Sequence, residues 1–275
     1  MVNALLDLLR LGLCLSFLTV ASIYDLKFRE VPNTVWIISA PIGLTLSAIS
    51  LALNISSRPL DALIWTVTLI IVSGLSLALF YLGLWGGADA KALICLAASM
   101  PTRLNIEAIR PMLEQCLQNS FSLPISISTL NNSVLAAALL TAAIALRNLI
   151  DLARSGGKIF EGLEGEGLIK KTLAFMTGYR VDAEKLRSKR HHYIVIEEFS
   201  VGSNGSFKRQ LKGLRLLGAE NDVEGKVPED ICGKIWVTPA LPFLLFMEAG
   251  LIMTVFLGDV IFCSTFIFMK SMSTA

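Results

Sequence analysis

Residues 60–82 read LDALIWTVTLIIVSGLSLALFYL, a run of twenty-three in which Asp61, near its outer edge, is the one charged group. About 20 apolar residues in helical form cross a hydrocarbon core of about 30 Å, so this run is long enough to span a bilayer. Working outward from it, comparable windows lie at 4–24, 34–53, 133–150 and 239–262, the first carrying Asp7 and Arg10 near its outer end. A sixth window, 86–100, rises only about 22 Å if wholly helical, so it begins or ends inside the bilayer or borrows Leu84 and Trp85. The 275-residue chain is 54% hydrophobic and 17% charged, with a mean hydropathy of +0.65. These values mark an integral membrane protein whose first partner is the lipid bilayer. A formal net charge of +2 is too small to suggest nucleic acid as a partner.

The expected fold is therefore mainly α, with six transmembrane helices and a small mixed α/β cytosolic domain containing some antiparallel sheet. Residues 1–150 hold the first five spans, 151–237 the soluble domain, and 238–275 the last span with its tail. The distribution of Lys and Arg sets the orientation. Lys170, Lys171, Lys189, Arg190, Lys208 and Arg209 crowd the soluble segment, and Lys27, Arg29 and Lys91 fall on its side. That side is read as the cytosol, and both termini face outward. Within the soluble segment the pattern predicts a helix at 168–176, a strand at 191–201 and a turn at 203–206. The outer loop 101–132 fits an amphipathic helix on the membrane surface. The five cysteines, Cys14, Cys95, Cys116, Cys232 and Cys263, form no CxxC and read as packing residues, so neither a metal nor a redox cofactor is expected.

Ionisable groups at membrane depth are expensive and mark function. Asp25 ends the first apolar run in Tyr24-Asp25-Leu26-Lys27-Phe28-Arg29-Glu30-Val31-Pro32-Asn33, and Asp89 lies in Gly86-Gly87-Ala88-Asp89-Ala90-Lys91 at the mouth of the short window. The topology brings both to the cytosolic boundary. Two carboxylates within hydrogen-bonding range cannot both ionise cheaply, so one holds a proton while the other stays anionic. Such a pair supplies a base to activate water and an acid to stabilise the oxyanion and protonate a leaving amine. Gly86 and Gly87 lack Cβ and let backbone bend and substrate approach. Each acid also has a plainer reading. Asp25 fits a solvated flank, and Asp89 fits a first-turn acid favoured by the helix dipole and paired to Lys91. Asn33 after Pro32 reads as a helix cap. Glu248 is placed to contact a neighbouring helix, Asp259 to be wet at the outer end, and His191 and His192 to lie on a soluble surface. GxSxG and HExxH are absent, so serine and zinc protease chemistries lack their motifs.

Asp25, Arg29 and Val31-Pro32-Asn33, followed by Gly86-Gly87-Ala88-Asp89-Ala90-Lys91 before a short apolar run, resemble the type IV prepilin peptidase family, its archaeal preflagellin branch above all. Gly178-Tyr179-Arg180-Val181, His192-Tyr193 and Trp236-Val237-Thr238-Pro239-Ala240-Leu241-Pro242-Phe243 extend the likeness over most of the chain. The resemblance implies an aspartic endopeptidase, with Asp25 and Asp89 catalytic and Gly86, Gly87, Ala88, Lys91, Arg29, Pro32 and Asn33 as motif and support. It implies precursors with type IV pilin-like leader peptides as partners, cut at the cytosolic face just before their hydrophobic helix. Ala88 departs from the family's GxGD form. Bacterial relatives carry cytosolic cysteine pairs and a second, N-methylating activity; without such pairs, peptidase activity alone is expected here.

Tyr24-Asp25 and Pro239-Ala240-Leu241 also resemble elements of presenilin-type and signal-peptide-peptidase-type proteases, which have nine spans. A third reading is a small ion- or proton-coupled transporter, with the two acids as relay groups and the glycines breaking a helix at the site.

Overall fold

In the second and third helices of the chain small and polar residues recur every three to four positions and turn inward, while most large aliphatics face outward. The structure, a computed structural model, describes residues 2–100, 104, 123–188, 193–201, 207–212, 233–239 and 241–273. In α2 (Thr34–Asn54) the buried stripe is Trp36, Ser39, Gly43, Ser47 and Ser50. In α3 (Pro59–Tyr81) it is Thr68, Val72 and Ser76, while Ile70, Ile71 and Leu77 are exposed. Lipid offers no hydrophobic drive for two helices to associate, so close backbone approach through small residues takes its place.

The helix at the centre is the shortest. α4 (Gly87–Ser99) packs chiefly on α2 and α3 and also meets α1 (Val2–Phe28) and α8 (Phe243–Phe256). Ala90, Ala92, Leu93 and every residue from Cys95 to Met100 are buried, as expected of a helix that is apolar all round. Side-chain bonds fix the helix directions. Asn3 Nδ2 donates to Asn54 Oδ1 at 2.9 Å, joining the start of α1 to the end of α2. Ser47 Oγ donates to the Ser99 carbonyl at 3.0 Å, and Trp65 Nε1 to the Ala97 carbonyl at 3.1 Å. The far end of α4 thus lies beside the second half of α2 and the first half of α3. Consequently the end of α1, the starts of α2 and α4 and the end of α3 share one end of the unit.

Among the described residues four helices are long and apolar enough to cross a membrane: α1, α2, α3 and α5 (Ile125–Arg154). A fifth crossing is formed by α8 and α9 (Val260–Ser273) if that pair, bent by 49°, is one span. The protein is thus mainly helical and multi-pass. The 13-residue α4 falls short of the length of a full span. The expected single span 239–262 is corrected at both ends. Residues 236–239 belong to a strand, and the helix breaks at 257–259, where Gly258 takes φ 87°. Asn132 makes the break tolerable in an apolar setting. Its Nδ2 donates to the Gly258 carbonyl at 2.8 Å and to Thr254 Oγ1 at 2.9 Å, and its Oδ1 accepts the Val260 N–H at 3.1 Å. Freed backbone groups at membrane depth need such partners. Asp259, expected to be wet, is 2% exposed; it accepts from the Phe262 N–H and from Asn131 Nδ2. α5 starts at Ile125, so the expected loop 101–132 is already helical over its last eight residues; 101–103 and 105–122 lie outside the described residues.

The chain divides into two units, 1–137 with 242–275, and 138–241. In the second, β5 (Lys234–Pro239) is the middle strand of an antiparallel sheet between β1 (Tyr179–Asp182) and β2 (Tyr193–Val195). Tyr179 pairs with Val237 and Asp182 with Lys234 on one side, Val195 with Val237 on the other. Both faces of β5 are covered, as strand alternation requires. Ile235 and Val237 join Val181, Leu186 and Val195, while Trp236 joins Ile159, Leu163, Ala174 and Leu211. The helix expected at 168–176 is α6 (Leu168–Thr177), and α7 (Ala183–Ser188) follows β1. The strand expected at 191–201 divides at Ile196, whose N–H bonds the Trp236 carbonyl and whose own carbonyl accepts the Lys212 N–H. Beyond it β3 (Glu197–Val201) pairs with β4 (Phe207–Leu211). His191, His192 and the expected turn at 203–206 lie outside the described residues. The last turns of α5 anchor this unit. Asn148 Nδ2 donates to the Phe175 and Gly178 carbonyls, Arg180 binds Asp151, and the Arg147 guanidinium sits 3.9 Å from the Tyr179 ring centre.

Candidate active site

Asp25 lies in the last turn of α1, which closes with the Arg29 N–H donating to the Asp25 carbonyl at 3.1 Å. Arg29 holds φ 58°, a left-handed conformation that costs a non-glycine residue about 1 kcal/mol. The helix stops there and the chain turns through Val31 and Pro32 into α2. Asp25 is half-buried.

Asp89 stands at the third position of α4, and the Gly86 N–H donates to its Oδ2 at 3.3 Å. A carboxylate reaching back to an otherwise orphaned N–H is one half of a capping box, and it sits at the positive end of the helix dipole. Its other oxygen, Oδ1, is shielded from solvent. Gly86 is extended, with φ −70° and ψ 154°, and the left-handed turn falls three residues earlier at Gly83, φ 69°. A Cβ at position 86 would come within 3.2 Å of Asp89 Oδ2, so glycine there leaves room beside the carboxylate. At Gly87 a Cβ would meet only ordinary contact with Phe80. Ala88 and Val31 both pack on the main apolar core.

Asn33 occupies the cap position of α2 but makes no side-chain cap bond. Asn33 has helical dihedrals, φ −60° and ψ −21°, rather than the extended ones a side-chain cap needs, and its Oδ1 accepts from Lys91 Nζ at 2.7 Å. The structure thus joins two of the sequence-selected segments, 24–33 and 86–91, through Asn33 and Lys91. Pro32 is half-buried between Val31 and Asn33, while the Arg29 side chain is exposed. Trp85 and Phe243, with ring centres 5.2 Å apart, bring the start of α8 to the same end.

One polar feature escaped the sequence reading. Asp7 and Arg10 form an ion pair, both fully buried, and Arg10 also bonds Ser50 Oγ at 3.2 Å. Their spacing of three on one helix was the available signal. Glu248 does contact a neighbouring helix, and its partner is Thr19, whose Oγ1 donates to Glu248 Oε1 at 2.6 Å between α1 and α8. Cys14, Cys95 and Cys263 are buried free thiols. Among the described residues no three His, Cys, Asp or Glu side chains are grouped to hold a metal ion.

With this arrangement in view, two family models match the chain. The type IV leader peptidase family matches residues 12–146, a stretch containing both Asp25 and Asp89, and the archaeal peptidase A24 C-terminus type II matches residues 170–260. A preflagellin peptidase of Methanocaldococcus jannaschii is 28% identical over 244 residues, covering 88% of this chain and 91% of the relative. Taken together the matches run from the first helix to the break before α9, and the chain belongs to the type IV leader peptidase family.

Proposed function

We propose that the protein is a membrane aspartic endopeptidase that removes the short charged leader from archaeal flagellin-like or type IV pilin-like precursors, with Asp25 and Asp89 as its catalytic pair. The observation that carries this reading is the convergence of the two acid-bearing segments at one end of the helical unit, Asp89 at the mouth of a short buried helix. The name of the Methanocaldococcus relative, preflagellin peptidase, supports the substrate class. In this proposal α4 is a sixth, shortened crossing. The segment 151–237 and the acids lie on the cytosolic side, a placement favoured by the excess of Lys and Arg there.

In the reaction one carboxylate is anionic and takes a proton from water as the water oxygen attacks the scissile carbonyl carbon. The other, protonated, donates to the developing oxyanion; the proton gained by the base then passes to the leaving amine as the C–N bond breaks. The pair must approach to roughly 3 to 6 Å in the competent state so that one water fits between them and the carbonyl. A leader junction at the membrane surface meets such a pair without a helix having to unwind deep in lipid.

The test is reconstituted Asp25→Asn and Asp89→Asn protein, supplied with a precursor whose basic leader precedes an apolar helix. Each substitution lowers cleavage by on the order of a thousandfold or more while the thermal midpoint in detergent is kept. Full turnover by either variant refutes the pair. Ion- or proton-coupled uptake into the same liposomes, with the leader left uncut, identifies a transporter instead.

A further inference from the structure

α4 carries Asp89 and packs chiefly on α2 and α3, whereas Asp25 rides on the end of α1. α4 also meets α1, but less extensively than it meets α2 and α3, so helix packing ties the two acid-bearing helices together only in part. A long-range side-chain bond links them at the acid end, Lys91 Nζ to Asn33 Oδ1 at 2.7 Å, across 58 residues of sequence. Lys91 is two positions beyond Asp89 on the same first turns of α4. Asn33 is eight positions beyond Asp25, past the left-handed turn at Arg29. Both partners are exposed, so burial of either does not account for the bond.

We propose that the Lys91–Asn33 bond is a clasp that holds the turn between α1 and α2 against the start of α4 and so sets the geometry of Asp25 relative to Asp89. This role rests on the catalytic pair proposed above. Lys91 and Asn33 are then positioning residues that act through the acids and touch no reacting atom. An error of about 1 Å in a catalytic pair costs up to a hundredfold in rate. The clasp makes a specific demand on chemistry: one long cationic donor and one amide acceptor, in either order.

The experiment uses full-length protein in liposomes with the same precursor. Lys91→Met and Asn33→Leu each lower kcat by on the order of 10- to 100-fold, with KM changed less than about twofold. The Lys91→Met/Asn33→Leu double variant is no worse than the poorer single one, because one bond is lost in all three. Exchange of the partners, Asn33→Lys with Lys91→Asn, recovers most of the lost kcat. Additive losses, a neutral Asn33→Leu beside an inactive Lys91→Met, or an exchange variant no better than the singles overturns the clasp. Asp25→Asn and Asp89→Asn run in parallel separate the two ideas. Inactive acid variants beside fully active clasp variants refute the clasp alone, and active acid variants refute the pair on which it rests.

Discussion

Gly43 tests whether α4 is held where the acids need it. A Cβ built there overlaps Ser99 Oγ and lies 2.7 Å from Ser99 Cβ and 3.1 Å from Ser99 Cα. The hydroxyl can rotate away, but Cβ and the backbone cannot, so Gly43→Ala forces α2 and α4 apart by several tenths of an ångström. Overpacking of this kind costs about 1–3 kcal/mol. The separation also stretches the 3.0 Å bond from Ser47 Oγ to the Ser99 carbonyl, which contributes about 1 kcal/mol more. The expected loss is about 2–4 kcal/mol, read from unfolding of purified protein in mixed micelles of rising denaturing-detergent fraction. Ser99→Gly in the Gly43→Ala background removes two of the three clashing atoms and recovers more than half of the loss. An unchanged unfolding midpoint for Gly43→Ala, or no recovery on adding Ser99→Gly, would refute this account of the α2–α4 contact.

Asn132→Leu leaves the Gly258 carbonyl and the Val260 N–H without their side-chain partner at a helix break, and costs about 2–4 kcal/mol in the same unfolding assay. In the second unit Glu197 is fully buried; it pairs with Arg209 and accepts the Trp236 N–H at 2.7 Å. Arg209→Met strands that carboxylate and destabilises the unit by about 3 kcal/mol, visible as faster hydrogen exchange along β5. Glu166 is held below the usual carboxylate value first by the Lys170 ammonium and also by the Leu211 N–H, and Glu164 is lowered chiefly by the Gly162 N–H. A depressed carboxylate stabilises the fold above its unfolded value of 4.5, and that contribution is lost as pH falls through its lower folded value. Exchange at the Leu211 amide is therefore steady from pH 7 to about 5 after correction for intrinsic rate, and accelerates below about 4.

The membrane helices were legible because a bilayer imposes one strong constraint, length of apolar sequence, and α1, α2, α3 and α5 satisfy it. Their breaks were not. Residues 243–272 remain apolar on both sides of the bend, and only Gly258 beside Asp259 hints that two helices meet there. Asp259 looked wet because a lone acid near a span end usually is; its burial depends on Asn131 and the Phe262 amide, partners that no local pattern reveals. In the soluble unit, β5 was hidden by its composition. Ile-Trp-Val before Pro239 reads as the opening of a membrane helix, and only the pairing with β1 and β2 makes it a central strand. The acids stood out because charge at membrane depth is costly, whereas Asn33 was legible as the residue at the cap position but its bond to Lys91 was not, because that partner lies 58 residues away.

The two acids are not equivalent, and the asymmetry yields a last prediction. Asp89 lies at the amino end of α4 and accepts the Gly86 N–H, so aligned peptide dipoles favour negative charge on it. Asp25 lies at the carboxyl end of α1, where the same dipoles oppose negative charge. The helix-end fields by themselves would place a shared proton of the proposed pair on Asp25, making Asp89 the base that activates water and Asp25 the donor to the oxyanion. An amide can imitate a protonated carboxyl as a hydrogen-bond donor but cannot act as a base. Of the two crippled variants, Asp25→Asn should then retain the larger residual rate, by about tenfold, measured in single-turnover cleavage with enzyme in excess. The reverse order, with Asp89→Asn the faster, would mean that the field of the helix ends does not decide which acid holds the proton.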